Sequence, residues 1–372
     1  MAWMVKYQRF GNFLRKRVAV FGGGVSFLGR LRIIVGMGIA LATILAFTVF
    51  SRDNVGVNVP QHLDTKTRTQ FASPDFISMS CFVRDTVYSV PCNGKLIRVE
   101  IKVSKNANSD NPRKMLLLLP GWNLSDTQWC TRTQVCDEAS RRGYDVMLVE
   151  MGKSVYMDSL YPQMRADYRL HPTRTWLWDS VLKPLQKRGY FTQKGQPEDP
   201  TTTSNGRVIY KSMRLPIPSF VMGLSTGARG ALLLALEHPE AFKGCAGLSG
   251  DYNPLLMKND NLMINCLGKY DVVPWRWRGT NNIVKRVDSL TVPVYLAHGA
   301  KDIVVSSKQT ESLIWSIHQS SSCRDKMSVF AKSHGKVGFL RSLIFRDGIH
   351  DYVFWNMAGL SALTYFDELL QQ

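Results

Sequence analysis

Acidic residues are missing from one end of this chain. Residues 1–52 carry eight lysines and arginines and no aspartate or glutamate. Removing those eight leaves 39 basic against 29 acidic residues, so the remainder is +10 where the whole chain is +18. A basic surface of that size suits anions or anionic membranes. No RNA- or DNA-binding motif accompanies it, so a solvated basic face is the reading and no nucleic-acid partner is expected. Paired histidines at metal-ligand spacing are also absent, which argues against a zinc site, and no cofactor motif stands out. No internal repeat is present, which excludes solenoids and propellers.

Charge is absent again from Ile33 to Phe50, "IIVGMGIALATILAFTVF", an apolar run of 18 residues. That length just spans a bilayer. The basic residues before it favour a cytoplasmic N-terminus, and no small-x-small cleavage site follows. The expectation is a basic segment over 1–32, a single-pass signal anchor over 33–50, a polar linker over 51–75 and an exported globular domain over 76–372. Secretion after cleavage is the rival. The seven cysteines fit an exported domain, where disulfides are permitted. Cys81 and Cys92 flank a hairpin, Cys130 and Cys136 lie close together, Cys245 and Cys266 fall near successive strands, and Cys323 is left over. Their pairing does not follow from spacing.

The rest alternates between strand and helix patterns. "CFVRDTVYSV" and "KLIRVEIKVS" read as an antiparallel hairpin around Pro91-Cys92-Asn93-Gly94. "MLLLLP", "YDVMLVEM", "PSFVMGL", "FKGCAGLSG", "NLMINCLG", "TVPVYLAHG" and "KMSVFAK" read as strands. Helices are expected over 130–142, 175–188, 307–318 and 353–370 and from the Ser225 turn to Pro239, and a polar loop or short hairpin over 192–207. Buried strands alternating with helices predict an α/β fold, a mainly parallel central sheet covered on both faces.

One stretch carries chemistry. "GLSTG", residues 223–227, puts Ser225 between glycines after an apolar strand and before a helix. A G-x-S-x-G turn lifts the serine Oγ above the sheet and aims the next backbone N–H, that of Thr226, at a developing oxyanion. A serine hydroxyl needs a base, and the chain order for this turn is Ser, then acid, then His. His350 precedes the last helix and is the leading base, ahead of His334; Asp302 follows the "YLAHG" strand and is the acid. His298 shapes the acid turn. The second oxyanion donor belongs in the loop after "LLLLP", where Gly121 allows close approach and the backbone N–H of Trp122 is placed. Trp122, Trp129, Tyr156, Trp275 and Trp277 are candidates for lining the pocket. Arg229, Arg276 and Arg278 are candidates for selecting an acidic substrate group.

These segments carry a resemblance. "GLSTGARGALLLALEHPEAFKGCAGLSG", "GIHDYVFW", "LLLPGWNLSDTQW" and "YDVVPWRWRGTNNI" resemble the esterase D and S-formylglutathione-hydrolase-like esterases of the α/β-hydrolase superfamily, from about residue 80 to the end. The resemblance implies hydrolysis of a carboxylic ester or thioester through an acyl-serine. Pro120-Gly121 stands where the family often has His-Gly, and Arg229 where a small, aromatic or histidine residue is usual. An acyltransferase with the same triad and an idle, anchored binding module are the alternatives.

Overall fold

The computed structural model describes residues 82–108, 111–188 and 217–371, with the backbone of 192–197, 201–202, 208–209 and 212–216 between them. The expected basic segment, anchor and linker over 1–75 lie outside the described residues, as does Cys81. Among the described residues, no helix is long and apolar enough to cross a membrane.

Among the described residues twelve strands follow one another: β1 Phe82–Cys92, β2 Lys95–Ser104, β3 Lys114–Leu119, β4 Tyr144–Val149, β5 Thr192–Pro197, β6 Thr201–Thr202, β7 Val208–Ile209, β8 Ser212–Pro216, β9 Ser219–Leu224, β10 Gly244–Leu248, β11 Val294–Gly299 and β12 Leu340–Phe345. Eight of them form one sheet in the order β1-β2-β4-β3-β9-β10-β11-β12. The β1–β2 and β2–β4 pairs are antiparallel and the remaining pairs are parallel. The stretch over 192–207, expected as a loop or short hairpin, takes part in two small antiparallel ladders, β5–β8 and β6–β7.

The central strands are apolar throughout because both their faces are covered. Every residue of β3, β4, β9, β10 and β11 is buried. Leu117, Val221 and Leu296 join one core cluster; Leu116, Phe220 and Ala297 join another. Strand residues thus alternate between two cores, as the period of two requires. The helices that concern the site are α1 Gln128–Thr131, α2 Val135–Arg141, α3 Thr226–Glu237, α4 Asn261–Leu267, α5 Pro274–Arg278, α6 Lys308–Gln319, α7 Ser321–His334 and α8 Tyr352–Glu368. A further helical run covers 174–187, its middle turn Leu177–Leu182 π-wound.

Three expectations are corrected. "NLMINCLG" is not a strand but α4; Asp260 caps it by accepting the Met263 N–H at 2.9 Å. "KMSVFAK" lies inside α7, which Ser320 opens by accepting the Cys323 N–H at 3.0 Å. Short apolar runs do not separate strand from helix by periodicity alone, and the capping residues were the overlooked signal. The edge strand is instead β12, "LRSLIF", half-exposed along its length. The helix expected over 130–142 is broken between α1 and α2 by a disulfide joining Cys130 and Cys136. Cys92, Cys245, Cys266 and Cys323 are buried free thiols.

Candidate active site

Register brings the loop after β3 beside the end of β9, since Leu119 pairs with Gly223. Ser225 follows at φ 53, ψ −126, a conformation that strains any residue with a Cβ. The glycines are dictated by contact. A Cβ on Gly223 would sit 2.0 Å from the Gly227 carbonyl oxygen, and one on Gly227 would sit 2.3 Å from that of Leu119. The Ser225 N–H donates to the Leu248 carbonyl at 2.8 Å, which ties the turn to β10.

Three side chains from three strand ends meet here. The Ser225 hydroxyl lies 3.1 Å from Nε2 of His350. Nδ1 of His350 lies 2.7 Å from Oδ2 of Asp302. His350 occupies the β12–α8 loop, with its ring edge-on to Trp355 at 4.9 Å. Asp302 follows β11. Its Oδ1 accepts the N–H groups of Val304 and Val305 at 2.9 and 2.8 Å, leaving Oδ2 for the histidine. Beneath it, buried His298 lies with Nε2 2.8 Å from the Val305 carbonyl and 3.4 Å from Oδ2 of Asp302, and Nδ1 2.7 Å from the Thr310 hydroxyl. A carbonyl only accepts, so Nε2 carries a proton. Burial alone would raise the Asp302 carboxyl. Hydrogen bonds from His298 and His350, the His350 charge and the Val305 N–H outweigh it and hold the carboxyl well below the usual carboxylate range.

Thr226 opens α3, where the first N–H groups have no intrahelical acceptor. The N–H groups of Asn123 and Leu124 are engaged by the carbonyls of Gly152 and Gly121, while no acceptor among the described residues takes that of Trp122. A Cβ on Gly121 would come 3.0 Å from the Ser225 Cβ, so this loop is pressed against the serine. Ser225 and His350 open into a cleft of about 1230 Å³, whose walls include Trp122, Arg132, Asp251 and Tyr352.

The other sequence candidates lie elsewhere. Trp129 is buried, its indole donating to the Leu119 carbonyl at 3.1 Å. Tyr156 is buried too, its hydroxyl donating to the Pro120 carbonyl at 2.8 Å. The Trp277 indole donates to the Gly268 carbonyl at 2.9 Å. Trp275 is 63% exposed and away from the cleft. These rings pack or brace loops, the usual use of aromatics with a polar tip. Arg229 is fully buried; it donates to Oδ2 of Asp251 through Nε at 3.0 Å and Nη2 at 2.8 Å, and to the Asn281 carbonyl at 2.9 Å. Arg276 and Arg278 lie over the rings of Tyr161 and Tyr270 and do not line the cleft. His334 ends α7, with Nδ1 3.2 Å from the Phe330 carbonyl. Sequence reasoning missed Arg132 and Tyr352. The closely spaced Cys130 and Cys136 were the available signal: the loop they close presents Thr131, Arg132, Thr133 and Gln134 to the cleft.

Residues 207–363 match the family model described as "Putative esterase". That stretch is an esterase-family sequence. The enzyme is a carboxylesterase-like hydrolase, and its segment includes all three residues that meet at the sheet end. No curated protein sequence matches the chain. Among solved structures, an S-formylglutathione hydrolase from Agrobacterium tumefaciens is similar at 14% identity and TM-score 0.51, covering 77% of this chain and 94% of that one. A puromycin hydrolase is similar at 13% identity and TM-score 0.51, covering 80% of this chain and 40% of that one. At such identities the likeness is one of fold. The two named substrates differ, so the fold leaves the substrate open.

Proposed function

We propose that the esterase works through an acyl-serine formed at Ser225, with His350 as base and Asp302 as its orienting acid. The observation that carries this reading is the unbroken hydrogen-bond line from the Ser225 hydroxyl through both nitrogens of His350 to Asp302. Oγ bonds to the carbonyl carbon of a carboxylic ester or thioester as its proton passes to Nε2. The Nδ1–H bond to Asp302 fixes the tautomer that leaves Nε2 free to accept, and the carboxylate stabilises the imidazolium. The carbonyl oxygen becomes an anion facing the N–H groups of Thr226 and Trp122, with the positive end of α3 behind Thr226. The carbon–leaving-group bond then breaks, and Nε2 returns the proton to the departing alcohol or thiol. Water attacks the acyl-serine by the same proton path, releasing acid and restoring the serine.

The anchored, exported placement belongs to the same proposal. Its support is the apolar run 33–50 and the Cys130–Cys136 disulfide, which suits an oxidising compartment.

The test is labelling of the full chain by a fluorophosphonate probe, with the adduct located by peptide mass spectrometry. Ser225 is the expected site, with labelling lost in Ser225→Ala and weakened in His350→Ala. A folded wild-type protein that takes no label would sink the acyl-serine mechanism and point to an idle hydrolase fold.

A further inference from the structure

Two buried polar atoms on the cleft wall have no partner among the described residues. One is the indole Nε1 of Trp122; the other is Oδ1 of Asp251, a residue only 2% exposed. Leaving such groups unmet costs about 1–3 kcal/mol each. Neither is a stray. Trp122 follows Gly121, which packs against the Ser225 Cβ. Asp251 lies three residues beyond β10, whose last residue, Leu248, pairs with Leu224 and accepts the Ser225 N–H. Both residues line the cleft into which Ser225 opens.

The Asp251 carboxylate is held in a particular way. Both guanidinium N–H groups that reach it converge on Oδ2, and the Asn281 carbonyl holds the far side of Arg229. Oδ1 is left over by construction. The buried pair is self-neutralised, while Asp260 adds a second carboxylate to the same cleft. An anionic substrate group is therefore disfavoured at this end.

The chemistry of the two orphans narrows what can meet them. An indole N–H only donates, and an ionised carboxylate oxygen only accepts. A ligand group that meets both has to offer an acceptor and a donor together. An ammonium lacks the acceptor and a carboxylate lacks the donor, whereas a hydroxyl has both. We infer that this wall is a subsite for a hydroxyl-bearing part of the substrate, a single hydroxyl or a neighbouring pair, which accepts from Trp122 Nε1 and donates to Asp251 Oδ1. Arg229 is the positioning residue, since it engages Oδ2 and leaves Oδ1 unpaired. The inference rests on the ester-hydrolase reading of Ser225 and adds to it the class of substrate preferred.

The hydroxyl could belong to the acyl part or to the alcohol part, and matched ester pairs distinguish them. The acyl pair is p-nitrophenyl butyrate and p-nitrophenyl 3-hydroxybutyrate. The alcohol pair is propyl butyrate and glycerol monobutyrate. The readout is the ratio of kcat/KM within each pair for the full chain, for Asp251→Asn and for Trp122→Phe. That ratio does not depend on how much of a sample is folded or on the basal rate. Trp122→Phe keeps an aromatic ring and the backbone donor and removes the five-membered ring with its N–H, so it reports even if Asp251→Asn fails to fold beside Arg229.

The hydroxylated member of at least one pair is expected to be favoured by at least about tenfold, a modest fraction of what a site built around a hydroxyl can deliver. That preference should fall towards parity in both variants. Parity in both pairs for the wild type, or a preference that neither variant changes, would overturn the subsite; ordered water would then be what meets these atoms. Failure to turn over any ester, together with failure to take a fluorophosphonate label, would instead remove the hydrolase reading beneath it.

Discussion

The two sides of the cleft are built by different means. At the sheet end, backbone sets the geometry: Gly223 and Gly227 let carbonyls approach where no Cβ fits, and two N–H groups aim the Asp302 carboxylate. On the wall around Asp251, side chains do the setting: Arg229 orients Asp251, and Asp260 accepts the Met263 N–H that opens α4. A backbone-built site fixes atoms tightly and accepts almost no change. A side-chain-built wall can be rewritten residue by residue, which suits the part of an enzyme that chooses its substrate.

The contrast is broken most severely at the acid. Asp302→Asn should lower kcat by about 10⁴-fold, because the histidine loses the acceptor that fixes its tautomer; steady-state kinetics on a simple p-nitrophenyl ester measures this. The same substitution carries a pH signature. The folded Asp302 carboxyl is depressed below its unfolded range, so its stabilisation is present above that range and lost as pH falls through it. Thermal melts from about pH 5 downward should therefore fall less steeply in Asp302→Asn than in the wild type, and equal slopes would deny the depressed carboxyl.

Next comes the backbone itself. Gly227→Ala should cost at least about 3 kcal/mol in urea unfolding, since its Cβ would meet the Leu119 and Pro120 carbonyl oxygens at 2.3 and 2.5 Å. A milder loss would mean that the elbow has more room than its contacts show. Opening the Cys130–Cys136 loop with a Cys130→Ser, Cys136→Ser double variant should cost about 2 kcal/mol. It should also raise KM more than it lowers kcat, because the loop presents its side chains to the cleft but lies off the serine–histidine–aspartate line. The smallest effect belongs to Trp275→Ala. Its exposed ring should contribute less than about 0.5 kcal/mol to stability, with kcat/KM unchanged.

The parts of the molecule legible in the sequence are those governed by local rules. The hairpin of β1 and β2, the buried parallel strands and the Ser225 turn all follow from periodicity and glycine placement. So did the choice of Asp302 and His350, which rests on chain order along the sheet. What was not legible depends on distant contacts. Asp251 looked like one more aspartate after a strand, and only Arg229, from the neighbouring helix, shows that one oxygen is spoken for and the other is free. Arg229 itself read as a substrate-selecting cation because its partner lies 22 residues away. The tryptophans misled for the same reason: a ring beside a motif in sequence can face the core in space. α4 and α7 were misread because their caps were given less weight than their apolar runs.

Position 225 sets two demands on the chain against each other. The backbone there, at φ 53 and ψ −126, is one that a glycine would occupy with less cost than any side chain. Drift towards greater thermal robustness would thus tend to replace the serine proposed as nucleophile, and a thermostable descendant carrying glycine at this position would keep the fold and the cleft while losing the proposed reaction.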